Sequence, residues 1–258
     1  MEAASDLSAG MRQRWLWMAV AMQDIRLRYR GSILGPFWLT TSTAVMVVAM
    51  GLVYSRLFRM EITHYLPYLT FGLIAWQFIS TVINEGCQTF LSVQAVILQV
   101  PLPFSIHAYR NVWRNVLVMA HNLVILPPVM WYFDVPISWH TLWVVPGFLV
   151  LCINGVWVSI LFGMISARFR DVPPIVTNFV MVIFFVTPIF WSADSLGKAK
   201  TYIELNPLFA AVDIVRAPLL GTDFSPYSWP IMLAFTIGCS ALSFFLFARF
   251  RSRITFWI

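Results

Sequence analysis

The stretch Arg26–Ser55, RLRYRGSILGPFWLTTSTAVMVVAMGLVYS, decides the fold class. Three arginines within five residues, Arg26, Arg28 and Arg30, run straight into Gly31, and no charged side chain follows until Arg56. A helix needs about 20 apolar residues to cross a bilayer core. An Arg, Lys or Asp near mid-bilayer costs about 2.5–3.5 kcal/mol on the insertion scale. A dense positive run against a long charge-free run therefore reads as the inner end of a membrane span.

The rest of the 258-residue chain agrees: 60% of residues are hydrophobic and 11% charged, against about 25% charged in a soluble domain. So few charges cannot cover a soluble surface. The 22 Phe, 12 Trp and 8 Tyr suit two water–lipid interfaces. The net charge of +6 is read as orientation and attraction to anionic lipid, with no nucleic-acid partner expected. Cys87, Cys152 and Cys239 stand far apart in apolar surroundings and read as buried small hydrophobes, with no metal site. Met1 to Met11 reads as carrying no cleavable signal.

Charge-free gaps give six transmembrane helices, at about 33–55, 64–85, 112–133, 141–166, 172–191 and 227–249. The gap from Gly86 to Tyr109 holds Gln88, Ser92, Gln94, Gln99, Ser105 and His107 and the breakers Pro101 and Pro103. It reads as a hairpin at about 88–108 with a short amphipathic helix, rather than a seventh span. With the N-terminus inside, twelve of the 17 Lys and Arg fall on the cytoplasmic side and five outside. That favours both termini in the cytoplasm, and a seventh span would put one end's arginines outside.

Residues 1–30 are read as a separate amphipathic interface helix, ahead of one transmembrane domain at 31–258. Trp15, Met18, Met22, Ile25 and Tyr29 recur at helical steps, with Arg12, Gln23, Asp24, Arg26 and Arg30 opposite. Such a helix lies on the inner membrane surface or docks a soluble partner. The outer loop before the last span, about 195–222, alternates charges with short apolar pieces. It is expected to form two short re-entrant helices, broken at Asn206-Pro207 and at Pro218.

Enzymatic signatures are absent. There is no H-E-x-x-H and no G-x-S-x-G. A phosphate loop fails too: around Gly197-Lys198, Ser192 stands for the first glycine and Ala199 for the Ser/Thr. The chain is expected to be a non-enzyme with no catalytic residue, and any ATP use must come from a partner. Polar residues inside the spans are Thr40 to Thr43, Gln77 and Asn84 on one face of the second span, His121, Asn122, Asn154 and Asn178. With no acid among them a proton relay is disfavoured, and interhelical hydrogen bonding is the plainer role. Gly31-x-x-x-Gly35 reads as a membrane-edge corner or a close-packing contact.

Three ordered stretches carry a family likeness: RLRYRGSILGPFW (Arg26–Trp38), SARFRDVPPIV (Ser166–Val176) and LNPLFAAVDIVRAPLLG (Leu205–Gly221). Together they resemble the permease subunits of ABC type-2 transporters that export polysaccharides: O-antigen, capsule, teichoic acid and relatives. A small-hydrophobic-drug exporter of the same type is the near alternative, and an intramembrane transferase the distant one.

The resemblance implies six spans in a homodimer in the bacterial inner membrane. It also implies two copies of a separate ATP-binding subunit, which hold ATP and magnesium, and a lipid-linked glycan as substrate. It places Arg26, Arg28 and Arg30 at the substrate entrance, where arginine suits a lipid phosphate. It makes spans one and five line the pore, with Trp38, Thr41, Ser42, Asn178 and Thr187 as lining candidates. Gln94, Leu98, Gln99, Val100 and Pro103 become the ATPase-coupling segment, here without the lysine relatives often carry. Arg168, Arg170 and Asp171 form a cytoplasmic Arg-Asp element, and Asn206, Pro207 and Arg216 an outer gate.

Overall fold

The computed structural model describes residues 2–32, 35 and 37–258, and every regular element among them is helical. In chain order these are α1 (Glu2–Arg12), α2 (Arg14–Arg28), α3 (Phe37–Leu57), α4 (Ile62–Cys87), α5 (Gln94–Gln99), α6 (Ser105–Asn122), α7 (Leu126–Tyr132), α8 (Val144–Arg168), α9 (Val172–Val186), α10 (Lys200–Glu204), α11 (Pro207–Leu220), α12 (Ser228–Phe250) and α13 (Ile254–Trp257). Short 3-10 turns join several of them.

Among the described residues, five helical stretches are long and apolar enough to cross a membrane: α3, α4, Ser105–Tyr132, Trp139–Arg168 and Ser228–Trp257. The chain is a multi-pass membrane protein. The sixth expected span falls short. Its helix α9 has 15 residues, about 22 Å at 1.5 Å per residue, against a core of about 30 Å. The reason is local. Thr187 precedes Pro188, whose ring disfavours helical backbone in the residue before it, and Thr187 is extended (φ −83°, ψ 131°).

The bundle is built around α4. Its spanning window is 72% buried, against 17–44% for the other four. Helices α3, α6, α8, α9 and α11 all pack on it. Tyr65, Leu69, Phe71 and Ile74 pack its first half into one cluster with Ile189, Val212 and Ile214. Being central, α4 can carry Gln77, Asn84 and Glu85, because each finds a partner on a neighbouring helix. The span Ser105–Tyr132 tightens into a 3-10 turn at Leu123–Ile125. Pro127 and Pro128 lack the N–H groups that would bond the carbonyls of Leu123 and Val124. Helix α8 meets α11 so closely that a Cβ on Gly147 would lie 2.6 Å from the Ile214 carbonyl oxygen. Only glycine allows that approach.

Three expectations at the ends of the bundle need correction. The N-terminal segment is two helices, with a break at Gln13 (φ −86°, ψ 36°). Its buried stripe is also rotated from the expected one. Ala21 and Ile25 are buried and Asp24 turns inward onto α6, while Trp15 is 69% exposed. The face of α2 that meets α6 is mixed: Trp17 packs on the rings of Tyr109 and Trp113, and Asp24, further along the helix, accepts from Arg110. In the loop before the last span, α11 runs through Pro218 and stops at Gly221, whose φ of +68° makes a left-handed cap. Pro218 removes one donor from the last turn and does not break it.

Positive φ at Gly31 (84°) and Gly35 (55°) marks the turn between α2 and α3, a backbone that side chains with a Cβ rarely adopt. Ile33, Leu34 and Pro36 of the expected corner, like Met1, lie outside the described residues. The stretch at 88–108 holds the short helix α5 as expected, followed by extended chain, and does not form a span.

Candidate functional site

Helices α3 and α9 stand on either side of α4 and leave a groove of about 540 Å³ along it. Its polar lining is Ser42 and Thr43 from α3, Gln77, Ser80 and Asn84 from α4, and Thr177 from α9. Its apolar lining includes Trp76, Phe184 and Phe185. Among the described residues no charged side chain lines it. Its two amides are fixed by hydrogen bonds from neighbouring helices. Thr43 Oγ1 donates to Gln77 Oε1 (3.1 Å), Asn122 Nδ2 donates to the same oxygen (2.9 Å), and Thr177 Oγ1 donates to Asn84 Oδ1 (3.0 Å). Each amide keeps further bonding capacity for a ligand. Fixed amides and hydroxyls beside aromatic faces are the chemistry that binds neutral polyols, by hydrogen bonds at ring edges and apolar contact at ring faces.

Of the five pore candidates read from the sequence, Ser42 lines this groove. Trp38, Thr41 and Asn178 are exposed on the outer surfaces of α3 and α9, with the Thr41 hydroxyl returned to the Phe37 carbonyl (3.0 Å). Thr187 is fully buried and accepts from Asn206 Nδ2 (3.4 Å). Gln77 and Asn84, singled out as one face, both belong to the groove. Ser80 and Thr177 were missed. Ser80 sits three residues after Gln77 and four before Asn84, so helical spacing alone extends that face to it.

Beyond α9 the backbone from Thr187 to Ser192 is irregular. Open carbonyls at membrane depth need partners inside the protein, and α4 and α11 provide them. Tyr65 Oη donates to the Phe190 carbonyl (2.5 Å). Tyr68 Oη reaches those of Pro188 (3.1 Å) and Trp191 (3.0 Å). Arg216 Nη1 donates to Pro188 (2.7 Å), and its guanidinium lies 4.1 Å from the Tyr68 ring centroid. Asn206 caps α11 through Leu208 N–H (2.9 Å), and Pro207 takes the first helical position, where no donor is needed. Of the three residues expected at an outer gate, Asn206 and Arg216 thus meet the end of α9 by direct hydrogen bonds, and Pro207 starts the helix that carries Arg216.

At the opposite end a charged cluster fastens α2 to α4 and α6. Glu85 accepts from Arg28 (2.9 Å), Arg114 (2.7 Å) and Asn115 (2.9 Å). Asp24 accepts from Arg110 (2.6 and 2.7 Å) and Arg114 (3.1 Å). Arg28 is thereby committed within the protein, while Arg26 and Arg30 are exposed and pair with no carboxylate among the described residues. Burial alone would raise the Asp24 pKa, but the hydrogen bonds and charge of Arg110, backed by Arg114, outweigh it and hold the carboxyl below its ordinary value. A depressed folded pKa contributes stability that is full above about pH 4 and is lost as pH falls through the lower folded value. The destabilisation of Asp24→Asn is therefore expected to stay constant from pH 5 to 8 and to fade as pH falls through the lowered folded-state value, as read by thermal unfolding in detergent.

A second fastening was not legible in the sequence. Asp6 is 3% exposed. Its carboxylate accepts from the backbone N–H of Phe104 (3.1 Å) and Ser105 (3.0 Å) at the start of α6, and from Arg251 Nε (2.8 Å) beyond α12. It joins α1, the end of the 88–108 stretch and the C-terminal segment at one end of the bundle. Asp6→Ala leaves three donors unmet, a loss of about 2–3 kcal/mol. Faster protease cleavage around Gln13 at unchanged membrane insertion is the expected reading.

Between these anchors α5 projects outward. Gln94, Leu98, Gln99 and Val100 are exposed and Pro103 is half-buried, while Ile97 turns inward. Within the Arg-Asp element, Arg168 and Arg170 make no ion pair with Asp171 among the described residues. Arg168 lies over the rings of Phe169 (5.8 Å) and Trp257 (5.9 Å), and Arg170 reaches the Trp257 carbonyl (3.4 Å). No group of His, Cys, Asp and Glu able to hold a metal occurs among the described residues.

The sequence matches the ABC-2 type transporter family over residues 16–220. It is 23% identical over 202 residues to an O-antigen export system permease protein, RfbA, of Klebsiella pneumoniae, covering 76% of this chain and 77% of that one. A second Klebsiella pneumoniae protein of that name is 24% identical over the same shares. One from Myxococcus xanthus is 21% identical over 211 residues, covering 79% and 80%.

Proposed function

We propose a function from one premise: the chain belongs to the ABC-2 type transporter family. On this reading it is the permease subunit of an exporter that moves a lipid-linked polysaccharide, of O-antigen type, across the bacterial inner membrane. The observation that carries the reading is the uncharged, amide- and hydroxyl-lined groove with aromatic walls along α4. An ion would be poorly solvated there. A sugar polymer would find ring faces against Trp76, Phe184 and Phe185, and hydroxyl partners in Ser42, Gln77, Ser80, Asn84 and Thr177. Many weak, repeated contacts let a polymer enter and still leave, which conduction requires.

The groove is walled by α3 and α9 and floored by α4, so a second copy of the chain facing it would close a central pore. The exposed apolar residues of α3 and α9, such as Val48, Leu52, Phe179 and Val182, suit that contact. The substrate lipid's phosphate would be met by Arg26, in the last turn of α2, and Arg30 just beyond it, both exposed and unpaired with a carboxylate among the described residues. Two copies of a separate ATP-binding subunit would bind ATP with magnesium and drive the cycle through the projecting α5. Motion of α5 would reach the bundle through the start of α6, where Asp6 ties it to α1 and Arg251. The Thr187–Ser192 bend with α10 and α11 would form the outer gate, six membrane passes being completed by α9 and this bend. Both termini, fastened at one end, would face the cytoplasm.

Deleting the gene tests the function. Surface O-antigen should disappear while lipid-linked polymer accumulates inside, and the wild-type gene should restore export. Normal surface glycan in the deletion strain would reject the reading.

A further inference from the structure

A second cavity lies away from the groove, where the last turn of α8 meets the end of α12 and the folded-back α13. It holds about 410 Å³. Its walls are mostly apolar, with Leu246, Phe169, Phe250 and Trp257 among them, and Arg168 and Arg253 also line it. The guanidinium of Arg168 stacks near Phe169 and Trp257, and that of Arg253 lies 5.8 Å from the Phe250 centroid. Arg170 and Arg249 flank it, and all four arginines are exposed. Among the described residues none of the four pairs with a carboxylate within 4 Å; the neighbouring Arg251 takes Asp6 and Glu2. Asp171, the nearest acid in sequence, makes no ion pair.

An apolar slot at the end of two membrane helices, with unneutralised guanidiniums held in place by aromatic faces, has the complement of one molecule: acyl chains below, a phosphodiester above. We propose that this cleft between α8 and α12 is a binding site for an anionic phospholipid of the inner leaflet. Arg168 and Arg253 would clamp the phosphate, and Trp257, Phe169 and Phe250 would line the path of the glycerol and upper acyl carbons. Basic pockets between helices at the cytoplasmic rim recognise such headgroups. The site stands apart from the groove along α4, so its occupancy does not depend on the transport reading.

Trp257 makes the proposal measurable. The full-length chain is reconstituted in vesicles in which a fraction of the phosphatidylglycerol, or alternatively of the phosphatidylcholine, carries bromine on its acyl chains to quench nearby indoles. Subtracting the Trp257→Phe signal from the wild type isolates the Trp257 component from that of the other tryptophans. That component should be half-quenched at about twenty-five-fold lower mole fraction of brominated phosphatidylglycerol than of brominated phosphatidylcholine, about a factor of five for each of two basic side chains. In Arg168→Gln/Arg253→Gln the two lipids should become equivalent. In the corresponding double lysine variant most of the preference should return, which separates charge recognition from loss of fold. Equal quenching by the two lipids in the wild type, or a preference surviving in the double glutamine variant, would overturn the proposal. Displacement of the phosphatidylglycerol by equimolar polyprenyl pyrophosphate would also overturn it, by assigning the cleft to a substrate lipid.

Discussion

Arg216→Ala is expected to lose export and to melt far below the wild type. Arg216 is 4% exposed, and its side chain does two things at once: it donates to the Pro188 carbonyl and lies against the Tyr68 ring. A hydrogen bond from a charged donor contributes about 1.5–3 kcal/mol and a desolvated cation–π contact about 2 kcal/mol. Together about 4 kcal/mol should go, most of it from the Thr187–Ser192 bend, because that backbone has no helix of its own to fall back on. Arg216→Lys should recover only part, since a point ammonium cannot both stack flat on the ring and reach the carbonyl. Tyr68→Phe keeps the ring and loses two hydroxyl contacts, so it should cost about 1–2 kcal/mol. Thermal unfolding in detergent, alongside surface glycan in cells, ranks the three variants. An alanine variant as stable as the tyrosine one would show that Arg216 does not hold the bend.

Glu85→Ala should act at the other end. Four donors converge on this carboxylate: Arg28 Nη2, Arg114 Nε and Nη2, and Asn115 Nδ2. Its removal leaves Arg114, 16% exposed, with Asp24 and the Asn111 amide oxygen as partners. Removing one partner of a largely buried charge pair costs about 3–5 kcal/mol. Arg28→Ala should cost much less, about 1 kcal/mol or below, because Arg28 is 45% exposed and water screens its pairing. The expected signature of Glu85→Ala is a lowered melting temperature together with trypsin cleavage after Arg26 and Arg30 at least about tenfold faster, as α2 comes off α6. Equal effects of the two substitutions would mean that Glu85 acts only through Arg28.

These fastenings show which parts of the chain could be read from its sequence. Charge-free gaps located the long helices because bilayer thickness and the cost of charge act on composition alone. The same ruler overran α9, because a gap in charge does not register Thr187-Pro188, where the backbone must leave the helix. The pairings are another matter. Asp24 meets Arg110 across 86 residues, Arg28 meets Glu85 across 57, and Asp6 meets Arg251 across 245, so no local period reveals them. One signal was present for Asp24 alone: it is the single acid beside Arg26, Arg28 and Arg30. The groove was half legible. The polar residues of α4 announced a face, but choosing which faces of α3 and α9 look onto it required their rotation about α4. Hence Ser42 was found and Thr177 was not.

The central claim is that the glycan passes along the groove between α3, α4 and α9. A photoreactive amino acid in place of Ser80 tests it most directly, in cells that carry the ATP-binding partner in a hydrolysis-deficient form. Ile237, 70% exposed on α12 away from the groove, is the control position. Irradiation should attach a ladder of polymer lengths to the permease at position 80 and none at position 237. Absence of glycan adducts at position 80, with adducts at position 237, would contradict the account.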